Sequence, residues 1–263
     1  MVADTVAWRP DVPGVAEVFH ARFTDHAYPA HTHDTWTLLL VDDGLVTFDL
    51  HRHQHGAMPS LVTLLPPHVP HDGRAATPDG FRKRVLYLDA AVLDAGLVGR
   101  AVDEPGIRDA PLRDRISRLH AALRSPGEAL QSESRLALVS DRLRQHLADR
   151  PHATVVRDAG VAERLRELLD ASVPSGLSLV DAAARLGRSP AYLVRAFTRE
   201  YGLPPHRYLT GRRLDLARRL LLDGSPPAAV ATAAGFYDQS HLTRHFTRLL
   251  GTTPSRYAAG RAA

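Results

Sequence analysis

Between residues 15 and 90 the apolar positions come in short runs: Thr35–Val41, Leu45–Leu50, Leu61–Leu65 and Arg84–Leu88. Turn-forming clusters separate them, at Asp42-Asp43-Gly44, Pro66-Pro67, Asp72-Gly73 and Pro78-Asp79-Gly80. Short apolar runs between turn formers read as strands. Many short strands at close spacing predict a barrel or sandwich. Beyond residue 90 the period lengthens. Leu112, Ile116, Leu119 and Leu123 form one stripe, and after Ser125-Pro126-Gly127 a second follows at Leu136, Val139, Leu143 and Leu147. Steps of three and four residues predict two amphipathic helices in a hairpin. Such stripes either pack on their own domain or pair between chains as a homodimer seam.

Asp149 to Gly160 carries Pro151 and Gly160 without apolar periodicity and reads as a linker. From Val161 onward the pattern is helical, and one layout occurs twice. In the first copy a short helix with small residues, Leu179 to Leu186, ends at Gly187. Ser189 then caps a second helix with Pro190 at its first position, and Gly202-Leu203-Pro204-Pro205 stops it. In the second copy a helix from Ala228 to Ala234 ends at Gly235. The next starts near Asp238, carries Leu242, Phe246, Leu249 and Leu250, and stops at Gly251-Thr252-Thr253-Pro254. Small residues let two helices cross closely, serine caps the second helix and glycine ends the first. This is helix-turn-helix construction. A long helix from about His206 to Asp223 joins the copies.

Charge is divided along the chain. Residues 161–263 hold 15 Arg against 8 Asp plus Glu, a net of +7, while residues 1–160 carry −3. The basic half is therefore the one expected to meet a polyanion. Cysteine is absent, which excludes disulfides and thiolate metal sites, and no apolar run is long enough for a membrane helix. Met1 to Pro10 lacks the apolar core of a secretory signal, so a cytoplasmic location is expected.

Residues 234–257 run Ala-Gly-Phe-Tyr-Asp-Gln-Ser-His-Leu-Thr-Arg-His-Phe-Thr-Arg-Leu-Leu-Gly-Thr-Thr-Pro-Ser-Arg-Tyr. This stretch resembles the signature of the AraC/XylS family of bacterial transcription regulators, and Ser189 through Pro205 matches the family's earlier unit in register. The resemblance covers about residues 163–260. It implies a seven-helix domain that places two recognition helices in successive major grooves, control of transcription initiation, and RNA polymerase as a partner. The family's base-reading positions fall on Ala191, Val194 and Arg195 in the first recognition helix. In the second they fall on Gln239, Ser240, Thr243 and Arg244. Arginine can bond guanine O6 and N7 together and glutamine adenine N6 and N7, whereas Ala191 and Val194 offer only apolar contact. The alternative for Arg195 and Arg244 is a phosphate contact or a structural ion pair. Phe197, Phe236, Phe246 and Leu242 are expected in the core.

Nine of the 15 histidines lie in residues 1–71. His31-Thr32-His33 has strand period, so both rings face one side, and His71 follows within Pro66-Pro67-His68-Val69-Pro70-His71. The pattern resembles the cupin-type sensor domain that often precedes this DNA-binding domain. The metal-binding cupin pattern adds a carboxylate four or five residues after the second histidine; here Thr37 and Leu38 stand there. Three readings stay open for His31, His33 and His71: ligands of a divalent ion, the lining of a polar small-molecule pocket, or structural histidines. His51, His53 and His55 alternate as at a solvated hairpin end.

The expected fold is α+β and multidomain. A cupin-like β-barrel with a helical hairpin occupies residues 1–150, a linker 151–160, and an all-α double helix-turn-helix domain 161–263. The expected function is a regulator that binds double-stranded DNA and answers to a small-molecule effector. A metalloenzyme is not expected, because no metal set with an accompanying acid or base is visible.

Overall fold

A computed structural model of the chain describes residues 2–24, 27–50, 53–148 and 158–259. It divides into two compact units, Met1–Ala121 with Leu138–Ala153 and Ala122–Ala137 with Thr154–Ala263. Residues 122–137, expected with the first domain, therefore group with the second unit. Most of the expected linker lies outside the described residues.

The first unit opens with β1 (Val2–Trp8), β2 (Val15–Phe23), β3 (Ala27–His31), β4 (Trp36–Gly44) and β5 (Val46–Leu50). Then come β6 (His53–Ala57), β7 (Val62–Leu65), β8 (His71–Ala75) and β9 (Phe81–Leu88), followed by α1 (Val98–Asp103) and the short β10 (Gly106–Ile107). Two antiparallel sheets form, one in the order β1-β2-β9-β4-β7-β10 and the other β3-β8-β5-β6. Their facing sides share one core: Ala21, Phe23, Leu39, Val41 and Phe81 from the larger sheet meet Val46, Phe48 and Leu50 from the smaller. This is a two-sheet, cupin-like barrel. The strand expected at Thr35–Val41 is β4, and β1 lies outside the region expected to be β.

The hairpin consists of α2 (Ala110–Leu123) and α3 (Ala129–Leu147). Leu112, Ile116, Leu119, Val139 and Leu143 are fully buried, and Leu123, Leu136 and Leu147 are nearly so. Within the first unit, α2 lies on the outer side of the larger sheet. Arg113 donates to the carbonyls of Val41 at 2.6 Å and Leu61 at 3.2 Å, and Arg84 of β9 donates to Ser117 at 3.2 Å. The buried outer side of β4, Trp36, Leu38 and Leu40, follows from this cover. The stripes thus pack within one chain, and the homodimer seam offered as their alternative is not free to form.

The second unit contains α4 (Ala159–Ala171), α5 (Leu179–Leu186), α6 (Pro190–Tyr201), α7 (Pro205–Leu222), α8 (Pro227–Ala233), α9 (Gln239–Leu250) and α10 (Pro254–Ala259). Ser189 caps α6 by accepting from the Tyr192 amide, and Asp238 caps α9 by accepting from His241. Gly187, Gly202 and Gly251 end α5, α6 and α9 in the left-handed conformation. Gly235 is required twice over: φ is +81°, and an added Cβ would lie 2.4 Å from the Pro174 carbonyl oxygen. Phe236, Leu242 and Phe246 pack with Leu214, Ala217 and Leu221 of α7. Phe197 is fully buried. The buried stripe of α7 is Leu209, Leu214, Ala217 and Leu221, while Leu216 and Leu220 sit at its edge. Among the described residues, no helix is long and apolar enough to cross a membrane.

Candidate functional site

Side chains alternate along a strand, so Phe81, Lys83, Val85 and Tyr87 of β9 share a side. So do Thr37, Leu39 and Val41 of β4. Phe81, Val85, Leu39 and Val41 belong to the core between the sheets, which fixes that side as the barrel interior. Three histidines reach the same interior. His31, at the end of β3, stands opposite His71, at the start of β8. His33 lies in the loop before β4, beyond a break in the β3–β8 register. Ring centroids are 4.8 Å apart for His31 and His33, 4.6 Å for His31 and His71, and 5.2 Å for His33 and His71.

A carbonyl oxygen only accepts, so Nδ1 of His31 donates to Pro29 at 2.7 Å and Nδ1 of His71 to Val69 at 3.0 Å. Each Nε2 is left with its lone pair. Burial first, then the charges of His71, His31 and Lys83, pulls His33 down to about 4. Burial also lowers His71, so both are neutral at pH 7. Thr37, where a metal-binding cupin would carry a carboxylate, is 5% exposed, and its hydroxyl has no partner.

Lys83 enters this interior as well. Its Nζ lies 4.1 Å from the centroid of the Tyr28 ring, and the rings of Phe19, Phe81 and Phe23 stand at 5.7, 5.9 and 6.0 Å. Burial brings the ammonium down to about 8 and pushes the Tyr87 hydroxyl up to about 12. The imidazole tautomers and spacing would suit a metal. Three imidazoles can by themselves hold a zinc ion, and the ligand nitrogens of His31, His33 and His71 lie within 4.8 Å of one another. The Lys83 ammonium in the same enclosure opposes a divalent cation electrostatically.

The second unit presents two helices to solvent in different ways. On α9, Gln239, Ser240 and Arg244 are exposed and Thr243 is half-exposed, while His241, Leu242 and Phe246 are buried. On α6, Ala191 and Val194 are only 3% and 4% exposed, so neither offers the apolar base contact expected of it. Helical period turns them inward with Leu193 and Phe197, and the outer side carries Tyr192, half-buried Arg195 and exposed Arg199. Arg188, just before the cap, stacks on Tyr192 at 5.6 Å.

Arg244 already has a partner. Its guanidinium donates to Glu128 at 3.0 Å, and His245 Nε2 donates to the same carboxylate at 2.8 Å. His241 Nε2 stands 3.6 Å away. Burial alone would raise the Glu128 carboxyl, but hydrogen bonds from His241 and His245 outweigh it and hold the group well below the usual range. The Tyr237 amide donates to His241 Nδ1 at 3.2 Å, so the proton of a neutral ring sits on Nε2 and faces Glu128. That tautomer suits an ion-pair cluster rather than a metal. Gly127 makes the approach possible: at φ +81° an added Cβ would lie 2.5 Å from His241 Nδ1. Nearby, Glu133 accepts from Ser178 Oγ at 3.0 Å and from the Leu179 amide at 2.6 Å, at the start of α5.

An AraC-like ligand binding domain model matches residues 13–140, and a helix-turn-helix domain model matches residues 182–260. The chain belongs to the AraC family of transcription regulators. It is 27% identical over 128 residues to the HTH-type transcriptional regulator YbfI of Bacillus subtilis. That match spans 48% of this chain and 46% of YbfI. Among solved structures it is similar to the C-terminal domain of AraT, a response regulator from Geobacillus stearothermophilus. That similarity has 28% identity, covers 39% of this chain and 87% of that one, and has a TM-score of 0.37. It is also similar to an AraC-type regulator from Chromobacterium violaceum, at 28% identity over 40% of this chain and 97% of that one, with a TM-score of 0.37. ToxT from Vibrio cholerae aligns over 97% of this chain and 96% of its own, at 12% identity and a TM-score of 0.35.

Within this AraC-family chain, sequence reasoning missed Lys83 and Glu128. Lys83 is the only lysine in the chain and alternates with Phe81, Val85 and Tyr87. A cation on the apolar side of a strand was the available signal. For Glu128 there was none, because its partners lie more than a hundred residues away.

Proposed function

We propose that this protein recognises specific DNA sequences and controls transcription initiation in response to an effector held in the barrel. The observation that carries the reading is the solvent-facing set Gln239, Ser240, Thr243 and Arg244 on α9. It lies in the half of the chain with net charge +7. All four side chains can hydrogen-bond a base edge, and the basic half supplies sequence-independent attraction to phosphates. Arg195 and Arg199 of α6 are the counterparts for a second major groove. A one-component regulator of this kind works in the cytoplasm, engages RNA polymerase and needs no enzymatic activity. For the effector to act as a switch, it must bind two arrangements of the protein with different affinity.

Binding-site selection from random DNA tests the reading. Wild-type protein should select two boxes about 10 base pairs apart. Arg244→Ala should weaken binding by about 1–3 kcal/mol and relax preference at one box position. A selected motif identical to that of the wild type would refute base reading by Arg244 and leave it a phosphate contact.

A further inference from the structure

Resting on the reading of the barrel as the effector site, we propose that the effector is a small organic acid. Its carboxylate would be held by Lys83 and its apolar body would lie against Phe19 and Tyr28, with Thr37 and the histidine cluster further along the same side of the sheet. Three observations converge.

The first is Lys83 itself. Its Nζ is ringed by four aromatic faces within 6.0 Å. Aromatic faces attract a cation but accept little from its three N–H donors. Among the described residues no carboxylate pairs with this ammonium, and the cause of its lowered basicity is burial alone. An uncompensated cation in an apolar enclosure is costly, and an incoming anion removes that cost. Arginine fills every other cationic position of the chain.

The second is Thr37, on the same interior side, opposite Tyr87 and so further along the sheet than Lys83. The residue is 5% exposed and its hydroxyl has no partner. A buried hydroxyl with nothing to bond is a place where a ligand oxygen gains a contact.

The third is access. Lys83, Tyr87, Phe19, Tyr28 and His33 all lie on the inward side, yet each keeps partial exposure, so this end of the interior is within reach of solvent. The other titratable groups around Lys83 are His31, His33, His71, Tyr28 and Tyr87. Among the described residues, the acidic side chains that act on them are Glu17, Asp34 and Asp72, beside Tyr87, His33 and His71 respectively. The imidazoles of His33 and His71 are neutral and bring no charge of their own. His31 and His71 commit their Nδ1 protons to backbone carbonyls and so do not donate to a carboxylate, which leaves Lys83 as its charged donor.

The test is calorimetric binding to the full chain of benzoate, phenylacetate, hexanoate and decanoate, each beside the alcohol of the same skeleton. At least one acid should bind at least about tenfold more tightly than its alcohol, as expected for a charge-assisted hydrogen bond. Lys83→Met should remove that preference and Lys83→Arg should retain part of it, both with operator affinity unchanged. Selective ¹³C labelling of lysine gives one ε-carbon signal, so the titration of Lys83 can be followed in the unmodified protein. Bound acid should move it upward. Alcohols that bind as tightly as acids, or sugars that bind instead, overturn the proposal while the barrel remains an effector site. Failure of every compound in the panel and of the sugars to bind overturns both. Acids that bind Lys83→Met as well as wild type also overturn it.

Discussion

Asp109 shows how much one side chain can hold together. It is 8% exposed and accepts from the Leu112 amide at 2.9 Å, Arg142 Nε at 2.6 Å and His146 Nε2 at 2.7 Å. It therefore caps the first turn of α2 and ties the end of α3 to it. Burial would raise its carboxyl, but the His146, Leu112 and Arg142 hydrogen bonds bring it down to about 2. The folded value lies below the ordinary carboxylate value of 3.8. The stabilisation is thus complete above about pH 4 and is lost as pH falls toward 2. Asp109→Ala should cost about 3 kcal/mol at pH 7, because Arg142 and His146 lose a buried partner. Urea unfolding at pH 7 and near pH 2 should show that cost shrinking with acidity; an equal cost at both would contradict the assignment. Lys83 obeys the opposite rule for its charge. Acid binding in the barrel should weaken as pH rises through about 8, where its ammonium is lost.

At the scale of elements, α9 is the most consequential helix. Its inner side, Leu242 and Phe246, is locked into the core around α7, and its outer side carries the candidate base readers. The loop between α2 and α3 sits at its start and engages Arg244 through Glu128. A DNA base or phosphate must compete with that carboxylate for the guanidinium. Glu128→Gln should therefore tighten operator binding by the full chain. Half-exposed ion pairs are worth up to about 1 kcal/mol, so the gain should be roughly two- to fivefold. Mobility-shift titration measures it, and unchanged or weaker binding would mean that Glu128 does not compete with DNA. Gly127→Ala should shift the same equilibrium, since its added methyl cannot fit beside His241 and Tyr237.

At the scale of the whole molecule, charge asymmetry sets the behaviour with DNA. If the +7 half meets six to ten phosphates, affinity should fall by about 10³–10⁵ between roughly 50 and 200 mM salt. A flat salt response measured with the full chain would remove the electrostatic basis of the interface. The leucine stripes of the hairpin are consumed within the chain, so a dimer would have to use other surface. Sedimentation of Leu143→Ala should reveal lost stability rather than altered association.

The elements themselves were legible in the residues. Short apolar runs between turn formers specified β4, β5, β7 and β9. Steps of three and four specified α2 and α3, and the glycine, serine and proline punctuation specified α5, α6, α8 and α9. These are local preferences of the backbone, which act before any distant contact exists. The meeting of His31, His33 and His71 was also readable, because the spacing and the barrel expectation together imply it. Tertiary packing decided the rest. It turned Ala191 and Val194 of α6 inward, since small apolar side chains gain more from burial than from the surface. It used both sides of β4, with α2 over the outer one, and it buried the leucine stripes of the hairpin within the chain. It also joined Glu128 to Arg244 and closed four aromatic rings around Lys83. Contacts between residues distant in the chain depend on how the sheets and helices pack, and no periodicity in the sequence records that.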